Sequence, residues 1–216
     1  MTLRRSRLTT PATIGQLARM TTALVLASAS PRRRELLARL RIAFDIVASD
    51  VPETPRAGED PAAFAQRVAR DKAAAVSHQR PDAWILAADT VVAVAGAIFG
   101  KPANRADADR MLQALSGRTH QVLTAVALLS PAGAMETVVV QSAVEFRRLT
   151  PQEIEDYLGT DEPYDKAGAY AVQGRAGGFV TRVKGSYSNV VGLPVDEVSE
   201  LLRRHLPFEI VVPPAP

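Results

Sequence analysis

Residues 24–34 read LVLASASPRRR, and this stretch predicts the fold class. Its first four residues form an apolar run that predicts a short buried strand. Ser30 and Pro31 follow almost at once, and these residue types favour the cap and the first position of a helix. A strand that passes directly into a helix is typical of α/β proteins, so we expect a mixed sheet flanked by helices.

The rest of the chain continues this alternation of strand-like and helix-like patterns. A long helix is predicted to open at Asp60-Pro61, and shorter ones at Asn104 and Thr150. The apolar stripe of the long helix consists of Phe64, Val68, Ala69 and Val76. Strand-like runs are Phe44–Val47, Ile85–Val94, Ala97–Phe99, His120–Leu129, Glu136–Phe146 and Phe208–Val212, while Ala169–Val172 and Phe179–Val183 flank a glycine-rich turn. With no internal repeat and no long linker, residues 23–216 are predicted to form one domain.

The composition excludes several classes of protein. The 216 residues are 47% hydrophobic and 23% charged, which are proportions typical of a globular domain. No apolar run is long enough to predict a membrane span. The absence of cysteine excludes disulfides, thiolate chemistry and zinc–cysteine sites, and it is consistent with a cytoplasmic protein.

The net charge of +3 comes from the start of the chain. Residues 1–22 carry four arginines and no acidic residue, and without them the net charge is −1. We expect this segment to be a disordered extension, with a true start at Met20 or an organellar transit peptide as the alternatives. The remainder is near neutral, and aromatic residues total only 5%, so we expect no stable binding to nucleic acid and no membrane partner.

Three arginines, at positions 32–34, occupy the first turn of the predicted first helix. Cations are disfavoured there by the helix dipole, whereas an anion is stabilised by the free N–H groups. The pattern therefore favours phosphate binding. The alternative is that the arginines point to water, where their cost is screened.

Asp89 stands inside the otherwise apolar strand Ile85–Val94. An ionised carboxylate is costly to bury unless it is paired, hydrogen-bonded or bound to a metal. Its neighbours on the same strand face are all apolar, so no partner is evident nearby. Asp89 is therefore a candidate Mg²⁺ ligand or general base, with a strand-end cap as the alternative.

Lysine is scarce beside arginine, so the positions of the four lysines carry information. Lys72 extends the apolar stripe of the long helix by one turn, which would bring its ammonium to a cleft, although simple snorkelling explains the same pattern. Lys101 lies between glycine and proline on a restricted loop. Glu53 lies in a loop between two prolines, where solvation at the surface is the default interpretation.

Six segments, taken in order, resemble the Maf family of nucleoside triphosphate pyrophosphatases. They are LASASPRR (26–33), ADTVV (88–92), GKP (100–102), LSGRTH (115–120), DKAGAY (165–170) and GSYSNVVGLP (185–194). The resemblance spans Leu24 to about Leu202. Two departures are the N-terminal extension and Arg41, which stands where glycine commonly ends the first helix.

This resemblance implies a fold, an activity and a set of site residues. The fold would be ITPase-like (Maf/Ham1-like), a mixed twisted β-sheet flanked by helices with a central cleft, in a cytoplasmic protein that forms a homodimer. The activity would be hydrolysis of a nucleoside triphosphate between its α- and β-phosphates, with Mg²⁺ or Mn²⁺ as the cofactor. Asp89 would activate water, and the residues that line the phosphates and metal would be Ser28, Arg33, Glu53, Lys72 and Lys101. The metal ligands would be Glu53 and Asp89.

The substrate branch is implied by three further positions, Arg32, Thr90 and Gln173, which resemble those of the dTTP/UTP branch. The amide of Gln173 can pair with both donor and acceptor edges of a pyrimidine. Two alternatives stay open at this point. The same chemistry could act on 7-methyl-GTP or another noncanonical nucleotide, or the protein could be a nucleotide-binding regulator of cell division and septum formation.

Overall fold

The computed structural model describes residues 23–206. The predicted N-terminal extension, residues 1–22, and the predicted strand Phe208–Val212 both lie outside the described residues. Within the described part, no helix is long and apolar enough to span a bilayer.

Within residues 23–206, seven strands form one mixed sheet, as the alternating sequence pattern predicts. The strands are β1 (Leu24–Leu26), β2 (Asp45–Ile46), β3 (Trp84–Val94), β4 (Ala97–Phe99), β5 (Thr119–Leu129), β6 (Met135–Phe146) and β7 (Val180–Lys184). Their order is β2-β1-β3-β5-β6-β7, with β4 paired to β3. β1 runs parallel to β2 and β3, and all other pairs are antiparallel. The expectation of a mixed α/β sheet is confirmed.

Six α-helices of the described part cover the sheet, and the caps of the first four follow the sequence signals. The helices are α1 (Pro31–Ala38), α2 (Pro61–Ser77), α3 (Arg105–Leu115), α4 (Pro151–Leu158), α5 (Tyr187–Val191) and α6 (Val195–His205). The side chains of Ser30, Asp60, Asn104 and Thr150 cap the first four helices, and Thr150 forms a capping box with Glu153. The predicted helix starts are therefore confirmed.

Three apolar clusters hold the helices on the sheet. Because side chains alternate along a strand, β3 and β5 contribute to both faces. Helix α2 packs on one face, in a cluster that includes Phe64, Val68, Ala87, Val91 and Leu123. Helices α1 and α6 pack on the opposite face, over Leu86, Val126 and Leu128. Helices α3 and α4 belong to a third cluster, which includes Val92, Val122 and Phe146.

One edge of β3 carries a gap in the sheet. β1 pairs with β3 only at residues 84–86, and β4 pairs only at residues 92–94. Between them, residues 88–91 pair with β5 on the far side but with no strand of the described chain on the near side. Asp89 lies on the α2 face and Thr90 on the opposite face, so a ligand in the gap can meet side chains from both faces.

Two local expectations differ from the structure. The second strand is shorter than the predicted Phe44–Val47, because only Asp45 and Ile46 pair with β1. The run Ala169–Val172 is not a strand. It follows a 3₁₀ turn at Ala167–Ala169, where Gly168 and Ala169 have φ of 71° and 58°, and such positive angles interrupt an extended backbone.

Candidate active site

A buried ion pair joins the long helix to the central strand. Lys72 of α2 donates a hydrogen bond from Nζ to Oδ1 of Asp89 over 2.7 Å. Both side chains are only 7% exposed. The apolar stripe of α2 carries the lysine stem inward, as its spacing indicates, and the missing partner of Asp89 comes from this helix rather than from its own strand.

Glu53 and Lys101 extend this pair into a row of alternating charges. Nζ of Lys72 also lies 2.7 Å from Oε1 of Glu53, and Nζ of Lys101 lies 3.7 Å from Oε2 of the same carboxylate. Burial alone would raise the pKa of Glu53, but the hydrogen bond and charge of Lys72, with the charge of Lys101, hold that pKa below its usual value. Glu53 is therefore held between two lysines and is not merely a solvated loop residue.

Arg33 reaches the other side of the gap from the first turn of α1. Its Nε donates to the carbonyl of Gly192 over 2.9 Å, and its Nη2 donates to the hydroxyl of Thr90 over 3.0 Å. Burial lowers the pKa of Arg33, while the charges of Asp89 and Glu53 raise it. A guanidinium has five N–H donors, so three of them have no partner within residues 23–206. These three donors suit a phosphate.

The remaining predicted residues stand around this charged row. Ser28 is buried in the β1–α1 loop, where its hydroxyl accepts from the backbone N–H of Ser30 over 3.2 Å. Arg32 is partly buried. Burial alone would raise the pKa of Asp165, but the hydrogen bond and charge of Lys166, with a smaller contribution from the charge of Arg32, lower it. Gln173 is exposed, and its side chain makes no hydrogen bond within residues 23–206. Its predicted role in selectivity stays a prediction.

A half-buried carboxylate, Glu162, orders the loop that carries Gln173. Its oxygens accept from the backbone N–H groups of Arg175 and Ala176 and from the hydroxyl of Tyr157. A Cβ at Gly174 would overlap this carboxylate, so a larger residue there would displace the Glu162 side chain from its hydrogen bonds. The sequence reasoning missed Glu162, because its partners follow it by 13 and 14 residues in an irregular segment.

Two cavities open elsewhere on the sheet. One lies between the start of α2 and the β3–β4 turn, and the other lies beside β7. None of the predicted site residues lines either cavity. The charged residues converge instead along the gap in β3, and the predicted central cleft stays a prediction.

The donor set suits a hard divalent cation with few protein ligands. No group of three or more His, Asp or Glu side chains with metal-ligand geometry occurs within residues 23–206. Glu53 and Asp89 nevertheless lie close enough together to share one cation, since the Lys72 ammonium lies 2.7 Å from an oxygen of each. Mg²⁺ is commonly held by one or two carboxylates, with water and substrate phosphates completing its shell. The residues present therefore fit such an ion bound together with a nucleotide.

Comparison with known proteins places this chain in a family. The model of the Maf-like protein family matches residues 23–205. The chain belongs to the Maf family. It is 54% identical over 184 residues to a dTTP/UTP pyrophosphatase of Myxococcus xanthus, covering 85% of this chain and 92% of that one. It is 52% identical to the dTTP/UTP pyrophosphatase of Geobacter sulfurreducens, over 84% of this chain and 95% of that one.

Solved structures offer a weaker likeness to this Maf protein. The Ham1 protein of Staphylococcus aureus aligns with 85% of this chain and 99% of its own, at a TM-score of 0.48 and 12% identity. The Ham1 protein of Coxiella burnetii aligns over the same shares, with a TM-score of 0.44. The fold class rests on the strand order and pairing and not on these alignments.

Proposed function

We propose that this chain hydrolyses dTTP and UTP to the nucleoside monophosphate and pyrophosphate. One observation carries the proposal: the row of Lys101, Glu53, Lys72 and Asp89 converges with Arg33 on the gap in the sheet. Cations that grip phosphates beside carboxylates that hold a metal or a water are what cleavage of a phosphoanhydride needs. The substrate class follows from the relatives, which are named dTTP/UTP pyrophosphatases.

Asp89 is proposed as the general base. Its Oδ1 is fixed by the hydrogen bond from Lys72, and its Oδ2 has no hydrogen-bond partner within residues 23–206. This leaves one oxygen in a defined position to accept a proton from the attacking water. Lys72 thus orients the base, and Arg33 and Lys101 supply positive charge for the triphosphate.

Glu53 and Asp89 are proposed to hold Mg²⁺ or Mn²⁺. A carboxylate has about four lone-pair sites, so Asp89 can hold the ion and still accept a proton on the oxygen that Lys72 leaves free. Such an ion polarises the phosphate oxygens and offsets their negative charge. Chelation of divalent metal with EDTA should therefore abolish pyrophosphate release, and added Mg²⁺ should restore it. Retention of activity in EDTA after exhaustive dialysis would contradict this part of the proposal.

Selectivity is proposed to depend on Arg32, Thr90 and Gln173. The exposed amide of Gln173 is free to pair with both the donor and the acceptor edge of a pyrimidine. Glu162 supports this role because it fixes the backbone immediately after Gln173 through Arg175 and Ala176.

The test is a substrate panel with separate detection of pyrophosphate and orthophosphate. We expect the highest kcat/KM for dTTP and UTP, lower values for CTP and 7-methyl-GTP, and pyrophosphate as the product. A preference of about tenfold or more for 7-methyl-GTP, some 1.4 kcal/mol, would favour the alternative substrate branch. Nucleotide binding without pyrophosphate release would favour the regulator of cell division.

We also propose a cytoplasmic homodimer with no stable nucleic-acid partner. The absence of cysteine from the sequence is consistent with a reducing compartment. Pairing with β7 involves only residues 143–146 of β6, which leaves much of that long strand as an edge within the described chain. Sedimentation equilibrium would test the dimer, and a monomer at micromolar concentration would contradict it.

A further inference from the structure

A line of polar groups, partly buried at Thr90 and fully buried beyond it, crosses the apolar face opposite α2. Thr90 and Thr124 are directly paired across β3 and β5, and Asn189 of α5 lies over Thr124. Thr124 and Asn189 are both 0% exposed. We call these three residues the polar seam. On the same face, the apolar neighbours of the seam belong to the α3–α4 cluster on one side and to the α1–α6 cluster on the other.

The hydrogen bonds of the seam all run in one direction from donor to acceptor. The hydroxyl of Thr124 donates to the carbonyl of Asn189 over 3.0 Å. Because that proton is used, Thr124 accepts in its 3.0 Å contact with Thr90, so Thr90 is the donor there. Thr90 in turn accepts from Nη2 of Arg33. The chain of hydrogen bonds therefore runs from Arg33 through both hydroxyls to the backbone of α5.

The side chain of Asn189 fixes the far end of this chain. Its Nδ2 donates to the carbonyl of Val122 over 3.0 Å and to the hydroxyl of Ser142 over 2.9 Å. These bonds attach α5 to β5 and β6. The same short helix ends at Gly192, whose carbonyl accepts from Nε of Arg33. The guanidinium is consequently held at two points by one anchored helix.

We propose that Thr124 and Asn189 are positioning residues that orient the Arg33 guanidinium toward the substrate phosphates through Thr90. The proposal rests on the proposed function for the role of Arg33 in phosphate binding. Thr124 is fully buried beside the two apolar clusters, where valine has a similar shape, so packing alone gives no reason for its hydroxyl. A buried hydroxyl without a hydrogen-bond partner would destabilise the core. The hydroxyls of Thr90 and Thr124 are tolerated because Arg33 and α5 complete the chain of hydrogen bonds.

The kinetic test is Thr124→Val, which keeps the shape of the side chain and removes its hydroxyl. We expect kcat/KM to fall about tenfold for dTTP and UTP alike, with the ratio between substrates unchanged. Thr124→Ser restores the donor and should recover activity to within about threefold of wild type. Ser199→Ala removes another buried hydroxyl, one outside the seam, and should leave activity unchanged. Recovery of activity in Thr124→Ser would show that the loss in Thr124→Val comes from the missing hydroxyl and not from altered packing.

A double-mutant cycle shows whether Thr124 acts through Arg33. In an Arg33→Lys background, Thr124→Val should have almost no further effect, because the guanidinium that it positions is absent. Equal losses in both backgrounds would overturn the proposal. So would a Thr124→Val protein with wild-type kcat/KM, or one that changes only the preference among bases.

A substrate-free readout keeps this test separate from the proposed function. Nitrogen-15 NMR of the Arg33 side chain measures hindered rotation of the guanidinium and protection of its N–H groups from exchange. We expect both to be lost in Thr124→Val and kept in Thr124→Ser, even if no nucleotide in the panel is hydrolysed. Unchanged Arg33 signals in Thr124→Val would overturn the proposal, whatever the activity of the wild-type protein.

Discussion

At the scale of single residues, the site depends on a lysine that two carboxylates share. Lys72 is buried on α2, and its ammonium contacts both Asp89 and Glu53. Asp89 is almost fully buried on an apolar strand face, and the charge of Lys72 offsets the cost of burying its carboxylate. The same contact that stabilises the fold therefore also orients the proposed base.

Lys72→Met should be strongly destabilising because it leaves the Asp89 carboxylate buried and unpaired. We expect the free energy of unfolding, measured with urea, to fall by about 3–5 kcal/mol. Asp89→Asn in the same protein should recover part of this loss. Arg70→Met removes an exposed cation from the same helix and should change stability by less than about 0.5 kcal/mol. A stability close to wild type for Lys72→Met would show that the pair is not needed for folding.

At the scale of elements, the end of α1 explains a departure from the family pattern. Arg41 follows the helix with φ of 55°, in the left-handed region, and its N–H donates to the carbonyl of Ala38. Glycine, the residue common at this position in the family, adopts that conformation without the steric cost that a Cβ brings. Arg41 thus keeps the helix-ending turn but does so under strain.

Arg41→Gly should stabilise the protein by about 0.5–1 kcal/mol, since relief of the strained backbone outweighs the added entropy of the unfolded chain. The matched control is Arg39→Gly, two residues earlier, where φ is −62° and no strain exists to relieve. That variant should destabilise by a similar amount. Thermal unfolding of the two variants would check the prediction, and equal effects of the two changes would contradict it.

At the scale of the whole molecule, a buried histidine lies in the aromatic core of the α3–α4 cluster. His120 is 1% exposed and packs edge-on against Phe146 and Tyr170. Its Nε2 lies 2.8 Å from the Tyr170 hydroxyl, while its Nδ1 has no partner within the described residues. Burial lowers the pKa of His120 to about 4. The fold therefore requires the neutral imidazole.

This requirement makes acid destabilise the whole fold. The unfolded chain takes up the proton near pH 6.5 and the folded chain only near pH 4. The stability that neutral His120 provides is therefore fully present above about pH 6.5 and is lost as the pH falls. We expect His120 to account for about 2–3 kcal/mol of lost stability between about pH 7 and pH 4.5. The comparison is urea unfolding of wild type and His120→Phe at both pH values. Parallel pH dependences for the two proteins would exclude His120 as the cause.

Local signals in the sequence predicted the elements but not the contacts between distant segments. The caps at Ser30 and Asp60 follow from residue type and from the proline after each. The inward stem of Lys72 follows from spacing, because a helix brings residues three and four apart to one face. The partner of Asp89 could not be read from its own strand, since it belongs to a helix 17 residues earlier.

The polar seam was harder still to predict. Thr124 and Asn189 are 65 residues apart, and a threonine is an ordinary strand residue. Only the pairing of β3 with β5 and the position of α5 bring them to Arg33. For the same reason, the resemblance to the family could name the segment that contains Asn189 without giving that residue a role.

The most direct test of the account is pyrophosphate release from dTTP, with Mg²⁺, by wild type and Asp89→Asn. The substitution keeps the shape of the side chain but removes the oxygen that would accept a proton from water. We predict that kcat falls at least about 100-fold, which corresponds to roughly 3 kcal/mol of barrier, in a protein that still folds and binds nucleotide. Turnover by Asp89→Asn within about threefold of wild type would contradict the central claim that Asp89 activates the attacking water.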